Sequence, residues 1–243
     1  MLRDCLYLNW AFRADDLPAP QKPLRFHVHR DDEVDYVFGS VQLFRRERMR
    51  MPRTTKLNLS HPQLDFRWQV LADDGSPAVL LHRVLVPAWL APGARLLTRH
   101  AVGTAKFGYP APSEEPETTG WSWRVRGAAS FVVSARRTAP QIGPGPSLGG
   151  WERTTRYFTE RPVGFLATSS GLRKVHMEPP DLAVWPLTVD IEDWGLLERL
   201  VPVAPAGGWP ALHSAWLCPE VPIAISRVVS TDASLARGLP APG

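Results

Sequence analysis

A mainly β fold with a few flanking helices, in one domain spanning residues 1–230, is what this 243-residue chain predicts. Three observations carry the prediction. Short runs rich in β-branched and aromatic residues recur along most of the chain, many alternating apolar with polar. Two pairs of these runs are joined by turn chemistry, as hairpins are. Proline, at 25 residues, concentrates between elements and leaves little room for long helices.

The strand-like runs fall at 6–12, 24–28, 36–44, 64–71, 78–86, 121–126, 129–135, 163–168, 172–177, 182–189, 214–218 and 223–229. Asp73-Asp74-Gly75-Ser76 supplies turn residues between 64–71 and 78–86, the clearest hairpin. A second hairpin joins 121–126 to 129–135. Helical spacing is confined to 93–102, 148–160 and 192–200. In the second window Trp151, Thr154, Thr155 and Phe158 share a stripe, and Ser147 is placed to cap it. Segments 110–120 and 138–146 are loops by composition. The first carries Glu114, Glu115 and Glu117 and reads as a surface loop or as a lid over a pocket. Residues 231–243 read as a disordered tail.

Bulk numbers narrow the function classes. Hydrophobic content of 44% and charged content of 21% are ordinary for a globular protein. No apolar run approaches the length of about 20 residues that spans a membrane, and no secretory signal is evident, so no membrane partner is expected. Two cysteines, Cys5 and Cys218, make neither a metal site nor a disulfide scaffold, which points to a reducing, cytoplasmic setting. The net charge of +4 comes almost wholly from arginine, the only lysines being Lys22, Lys56, Lys106 and Lys174. The densest basic cluster, 45–53, alternates Arg48 and Arg50 with Met49 and Met51. That is the pattern of a half-buried strand with a solvated face, with an anion-binding face as the alternative. No nucleic-acid partner is expected.

No phosphate-binding loop, nucleophile elbow or zinc-protease helix is present. His27 and His29 flank Val28 and so share one face of a strand. With no third ligand in view they read as surface histidines, and no metal and no cofactor is assigned. Arg67 and Trp68 face opposite ways on their strand, and Arg67 is a candidate for the inward position.

The segment from Tyr157 to Leu187 contains Thr159-Glu160-Arg161, two apolar runs, and Trp185-Pro186-Leu187. With Leu6-Tyr7-Leu8-Asn9-Trp10 at the start and 211–228 at the end, it resembles the DUF2071, or YqjF-like, family. That family is grouped with acetoacetate decarboxylase-like proteins. The resemblance covers roughly residues 5–229. It implies a curved antiparallel β-barrel or cone with a few flanking helices and an internal cavity.

Ala105-Lys106-Phe107-Gly108-Tyr109-Pro110 resembles the acetoacetate decarboxylase motif, which combines two adjacent lysines with a Leu-Gly-Tyr-Pro run. In that family the first lysine forms a Schiff base and the second lowers its pKa. Here the position matching the first is Ala105, and only Lys106 remains. The resemblance therefore makes Lys106 the candidate for imine chemistry, or for orienting a ligand, with Tyr109 beside it. Glu160 is a candidate acid, base or partner for Lys106, and Arg161 a candidate grip for a carboxylate. The alternative for both is an inter-element salt bridge. His176 faces opposite to Val175 and Met177, and lines the cavity if the barrel interior is a pocket. Arg67, Arg161, His176 and Tyr109 are thus the ligand-binding candidates, and Lys106 and Glu160 the catalytic ones. The expected partner is a small anionic or oxo-acid metabolite, with lyase-like chemistry or with binding alone; a homo-oligomer is compatible with either.

Overall fold

The computed structural model describes residues 1–51, 54–98, 100, 102–109, 120–168, 171–178, 182–201, 209–222 and 224–232. Fifteen strands and three α-helices are defined among them. The strands are β1 (Leu2–Arg13), β2 (Arg25–Phe26), β3 (Val28–Asp31), β4 (Val34–Met51), β5 (Thr54–Leu71), β6 (Pro77–Val86), β7 (Val102–Thr104), β8 (Lys106–Gly108), β9 (Trp121–Arg126), β10 (Ser130–Arg137), β11 (Val163–Thr168), β12 (Gly171–Glu178), β13 (Trp185–Asp193), β14 (Leu212–Val221) and β15 (Ala224–Asp232). The helices are α1 (Ala91–Thr98), α2 (Trp151–Thr159) and α3 (Gly195–Leu200).

The strands form one sheet ordered β15-β12-β11-β6-β5-β4-β1-β14-β13-β10-β9-β8. The short strands β2, β3 and β7 pair onto β5, β4 and β6. Most pairings are antiparallel, but β11 and β7 both run parallel to β6. The mainly β fold with few helices is the one expected; among the described residues the path ends at β15 and β8, and the sheet is mixed rather than purely antiparallel. The parallel pairing has a local cause. The long excursion from β6 through β10 and α2 returns β11 to the free edge of β6, and a strand entering from the same end as β6 must run parallel to it.

Both expected hairpins form. In the β5–β6 turn Gly75 adopts φ of +80°, Ser76 N donates to Asp74 Oδ1 at 2.8 Å, and Ala72 N donates to Ser76 O at 2.9 Å. The β9–β10 pair closes with Gly127 N donating to Ala129 O at 2.8 Å. The helices sit in their expected windows, with altered ends. Ser147 does not cap α2; the capping position is Gly150, and Ser147 Oγ accepts from Gly149 N at 3.2 Å instead. The run expected at 182–189 is displaced to β13, which continues to Asp193 and shortens α3. The basic cluster from 45 continues β4 as far as Met51. The strand β15 takes up residues 231 and 232 of the expected tail, and 233–243 lie outside the described residues, as does nearly all of the 110–120 loop.

Packing divides the sheet into two faces. On one, Leu6, Leu8, Trp10 and Phe12 of β1 meet Val41 and Leu43 of β4 and Leu64, Phe66, Trp68 and Val70 of β5 in the largest core cluster. Gly39 makes space there: a Cβ would stand 2.8 Å from the Trp68 ring and 2.9 Å from Phe12. On the other face, Cys5, Tyr7, Ala11, Phe38, Phe44, Phe158, Trp216 and Cys218 form a second cluster beneath α2. Because β1 is covered on both sides, its sequence reads as a continuous buried run instead of an alternating one. No described helix is long and apolar enough to cross a membrane.

Candidate functional site

The polar face of β5 is where side chains with chemistry converge. Gln63, Asp65, Arg67 and Gln69 alternate with the apolar residues of the first core and project to the α2 side. Strand register sets their neighbours. Asp65 stands opposite Gln42, and Arg67 opposite Ser40. One strand further, Tyr7 stands opposite Gln42, and Asn9 opposite Ser40. An alternating polar face is normally solvated. Here α2 and the second cluster cover it, and Asn9, Ser40, Gln42, Gln63, Asp65 and Gln69 are all buried.

Burial without pairing is costly, and most of these groups are paired. Ser40 Oγ donates to Asn9 Oδ1 at 2.7 Å, and Asn9 Nδ2 donates to Ser214 O at 3.2 Å. Gln63 Nε2 donates to Asp65 Oδ1 at 2.7 Å. Arg161, which follows α2, is 6% exposed; its Nε donates to Gln69 Oε1 at 3.0 Å and its guanidinium lies 4.1 Å from the Tyr157 ring centroid. The Arg67 guanidinium lies 5.3 Å from the Tyr7 ring and reaches Phe158 O at 3.5 Å. Arg67 Nε, Arg161 Nη2 and Gln69 Nε2 on this face have no hydrogen-bond partner among the described residues. No described carboxylate lies within ion-pair distance of Arg161.

Histidines and a tyrosine extend the face outward. His27 and His29, expected on the surface, instead turn inward from β3 and its approach, with rings 4.6 Å apart. Val28 takes the exposed position between them. His29 Nε2 and Tyr157 Oη are 2.9 Å apart. His29 and Tyr157 line a cleft of about 530 Å³ with Ser147, Leu148, Gly149 and Arg153. A second cavity, of about 280 Å³, opens on the other face of the sheet, where Trp68 and Leu80 meet His82 and His100.

The electrostatics follow from burial beside cations. Burial pushes Asp65 up to about 6, against the Gln63 hydrogen bond and the charges of Arg46 and Arg67. Burial pushes His27 down to about 4, with His29 and Arg161 adding to the shift. Burial and then Arg161 lower His29. Burial raises Tyr157, so its hydroxyl keeps its proton where it is hydrogen-bonded to His29. Burial and the neighbouring Arg67 lower Arg161, which as a guanidinium nonetheless stays charged.

Among the sequence candidates, the structure brings Arg67 and Arg161 to this face. Tyr109 sits at its far end, donating to Phe44 O at 2.5 Å. The others lie elsewhere. Lys106 is exposed on β8, opposite Arg126, while Ala105 beside it is buried in the first core. Glu160 is exposed and lies 3.8 Å from Arg156, so it does not meet Lys106. His176 is half-buried on β12 opposite Val163, with β11 and β6 between its strand and that of Arg67. Asp65, Gln69, Tyr7 and Tyr157 were not among the sequence candidates. The signal for the first two was the run Gln63-Asp65-Arg67-Gln69, a polar stripe carrying an acid and a base between two amides.

No protein-family model and no curated protein sequence matches the chain. Solved structures do. The enduracididine biosynthesis enzyme MppR with HEPES buffer bound superposes with a TM-score of 0.54 at 8% identity, over 93% of this chain and 86% of that one. The same enzyme complexed with pyruvate gives 0.54 at 8% identity, over 89% and 84%. An acetoacetate decarboxylase-like enzyme from Sphingomonas wittichii RW1 gives 0.49 at 14% identity, over 93% and 92%. At such identities the likeness to MppR speaks to architecture, and the fold of this chain is of the acetoacetate decarboxylase-like class.

Proposed function

We propose that the chain binds a small carboxylate-bearing metabolite through Arg161 and Arg67, without forming an imine on Lys106. The observation that carries this reading is Arg161: a buried guanidinium with an unpartnered Nη2 and no carboxylate beside it. A buried charge needs an opposite one, and a planar guanidinium fits a carboxylate in bidentate fashion. Tyr157 and His29 place a hydroxyl and an imidazole at the cleft above it. The pyruvate complex of MppR, a protein of the same fold, makes a small oxo acid the first ligand to test. Placement in the DUF2071 family and in the cytoplasm belongs to the same proposal, resting on the motif order and on the two free thiols.

Imine formation needs a neutral amine in the cavity. Ala105 cannot supply one, and Lys106 is exposed on the edge strand. Calorimetry with pyruvate, acetoacetate and longer 2-oxo acids tests the binding. Arg161→Lys is expected to weaken it by about 10- to 100-fold, the loss of one charge-assisted hydrogen bond or two, with the melting temperature measured alongside. No heat from any acid with the unaltered protein would refute the reading. Borohydride trapping tests the second clause: a mass adduct on Lys106 would overturn it.

A further inference from the structure

Cys5 and Cys218 stand near opposite ends of the sequence and on adjacent strands of the fold. They are direct register partners in the antiparallel β1–β14 ladder. Opposed residues in such a ladder have Cα atoms about 4.5 or about 5.5 Å apart, depending on whether the pair exchanges hydrogen bonds. Both separations fall within the roughly 4.4–6.8 Å that a disulfide spans. Opposed side chains also share a face. Here it is the polar face, since the next pairs along the ladder are Tyr7–Trp216 and Asn9–Ser214. Both thiols are free and fully buried. Each lies close enough to Arg67 to feel its charge, and the two lie close enough to feel each other. Neither has a part in the carboxylate binding proposed above.

We propose that Cys5 and Cys218 are a redox-modification site: a cross-strand dithiol that a small hydroperoxide oxidises to a disulfide. One sulfur, as thiolate, attacks the peroxide. An S–O bond forms, the O–O bond breaks, and the departing oxygen takes up the thiol proton as water or an alcohol. The second sulfur then displaces hydroxide from the sulfenic sulfur. The S–S bond forms, and the second thiol proton leaves with the hydroxide as water. Two thiols lose two electrons, and the peroxide bond gains them. A small dithiol reverses the step by exchange. Burial holds both thiols protonated, so oxidation quickens with rising pH. The product ties the first strand to the last but one and closes nearly the whole chain into a loop.

The experiment uses the unaltered protein. It is exposed to hydrogen peroxide, and separately to diamide, then denatured with an alkylating agent present and weighed intact and after digestion. The expected species is monomeric, lighter by two hydrogens and unalkylated, with the Cys5 peptide linked to the Cys218 peptide. Dithiothreitol restores the starting mass, and the oxidised form melts at a higher temperature. Cys5→Ser and Cys218→Ser each abolish the intramolecular product. Full alkylation of both cysteines after a treatment that oxidises a model dithiol completely would overturn the proposal. So would oxidation that yields only sulfinic acid or links between molecules.

Discussion

Asp65 governs how the charge of the polar face changes with acidity. Its carboxyl has a pKa of about 6 in the fold, above the ordinary 3.8. The folded state therefore holds the proton more firmly than the unfolded state. Stability from this group is present below about pH 4 and is lost as pH rises through about 6. The same titration acts on ligands. Ionised Asp65 offers Arg67 a competing negative charge; protonated Asp65 does not. Affinity for a fully ionised carboxylate is expected to rise as pH falls from about 7.5 to about 5. His27, already down at about 4, stays neutral across that window and adds nothing. Asp65→Asn is expected to flatten the profile, which calorimetry at several pH values reads directly; an unchanged slope in the variant would assign the effect to another group. Arg67 and Arg161 could be singled out as candidates in the sequence because an arginine opposite a core tryptophan, or inside a family motif, is conspicuous. Asp65 could not, since an alternating strand gives no sign that its polar face is covered. The exposure of Lys106 was hidden for a related reason: strand parity relative to Ala105 is visible, but which parity faces inward depends on the sheet packed against it.

Among elements, α2 decides whether that polar face is a site or a surface. Phe158 anchors it, fully buried against Phe38 at 5.2 Å and Trp216 at 5.7 Å between ring centroids. Phe158→Ala is expected to cost about 3–5 kcal/mol, as phenylalanine truncations in cores do, read from the denaturant midpoint at constant m-value. A cost below about 1 kcal/mol would mean that α2 is not held by this side chain. The helix was readable from its stripe of Trp151, Thr154, Thr155 and Phe158, because the period of an amphipathic helix survives any tertiary context. Its cap was not, since Ser147 had an alternative bond to the loop amide of Gly149. At the other end of the sheet, Lys106 and Arg126 oppose each other with like charge on β8 and β9. Lys106→Glu is expected to stabilise the fold by roughly 0.2–1 kcal/mol, less as salt is added, in paired thermal melts at low and high ionic strength.

At the scale of the whole molecule, periodicity revealed the strands and said little about their order. The β5–β6 and β9–β10 hairpins could be read because turn residues bind neighbours in sequence to neighbours in space. The parallel β6–β11 pair could not, since it joins segments separated by an entire excursion of the chain. Nor could the β1–β14 pair, whose Asn9–Ser214 bond spans 205 residues. That pair also has a consequence for synthesis. The strand β1 is made first and lies in the middle of the sheet, so one of its two edges waits for a partner that emerges from the ribosome among the last. At about 5–20 residues per second, the wait is on the order of 10–40 s. During it the nascent chain presents an unpaired strand bearing Leu6, Leu8, Trp10 and Phe12, residues that the finished protein hides completely.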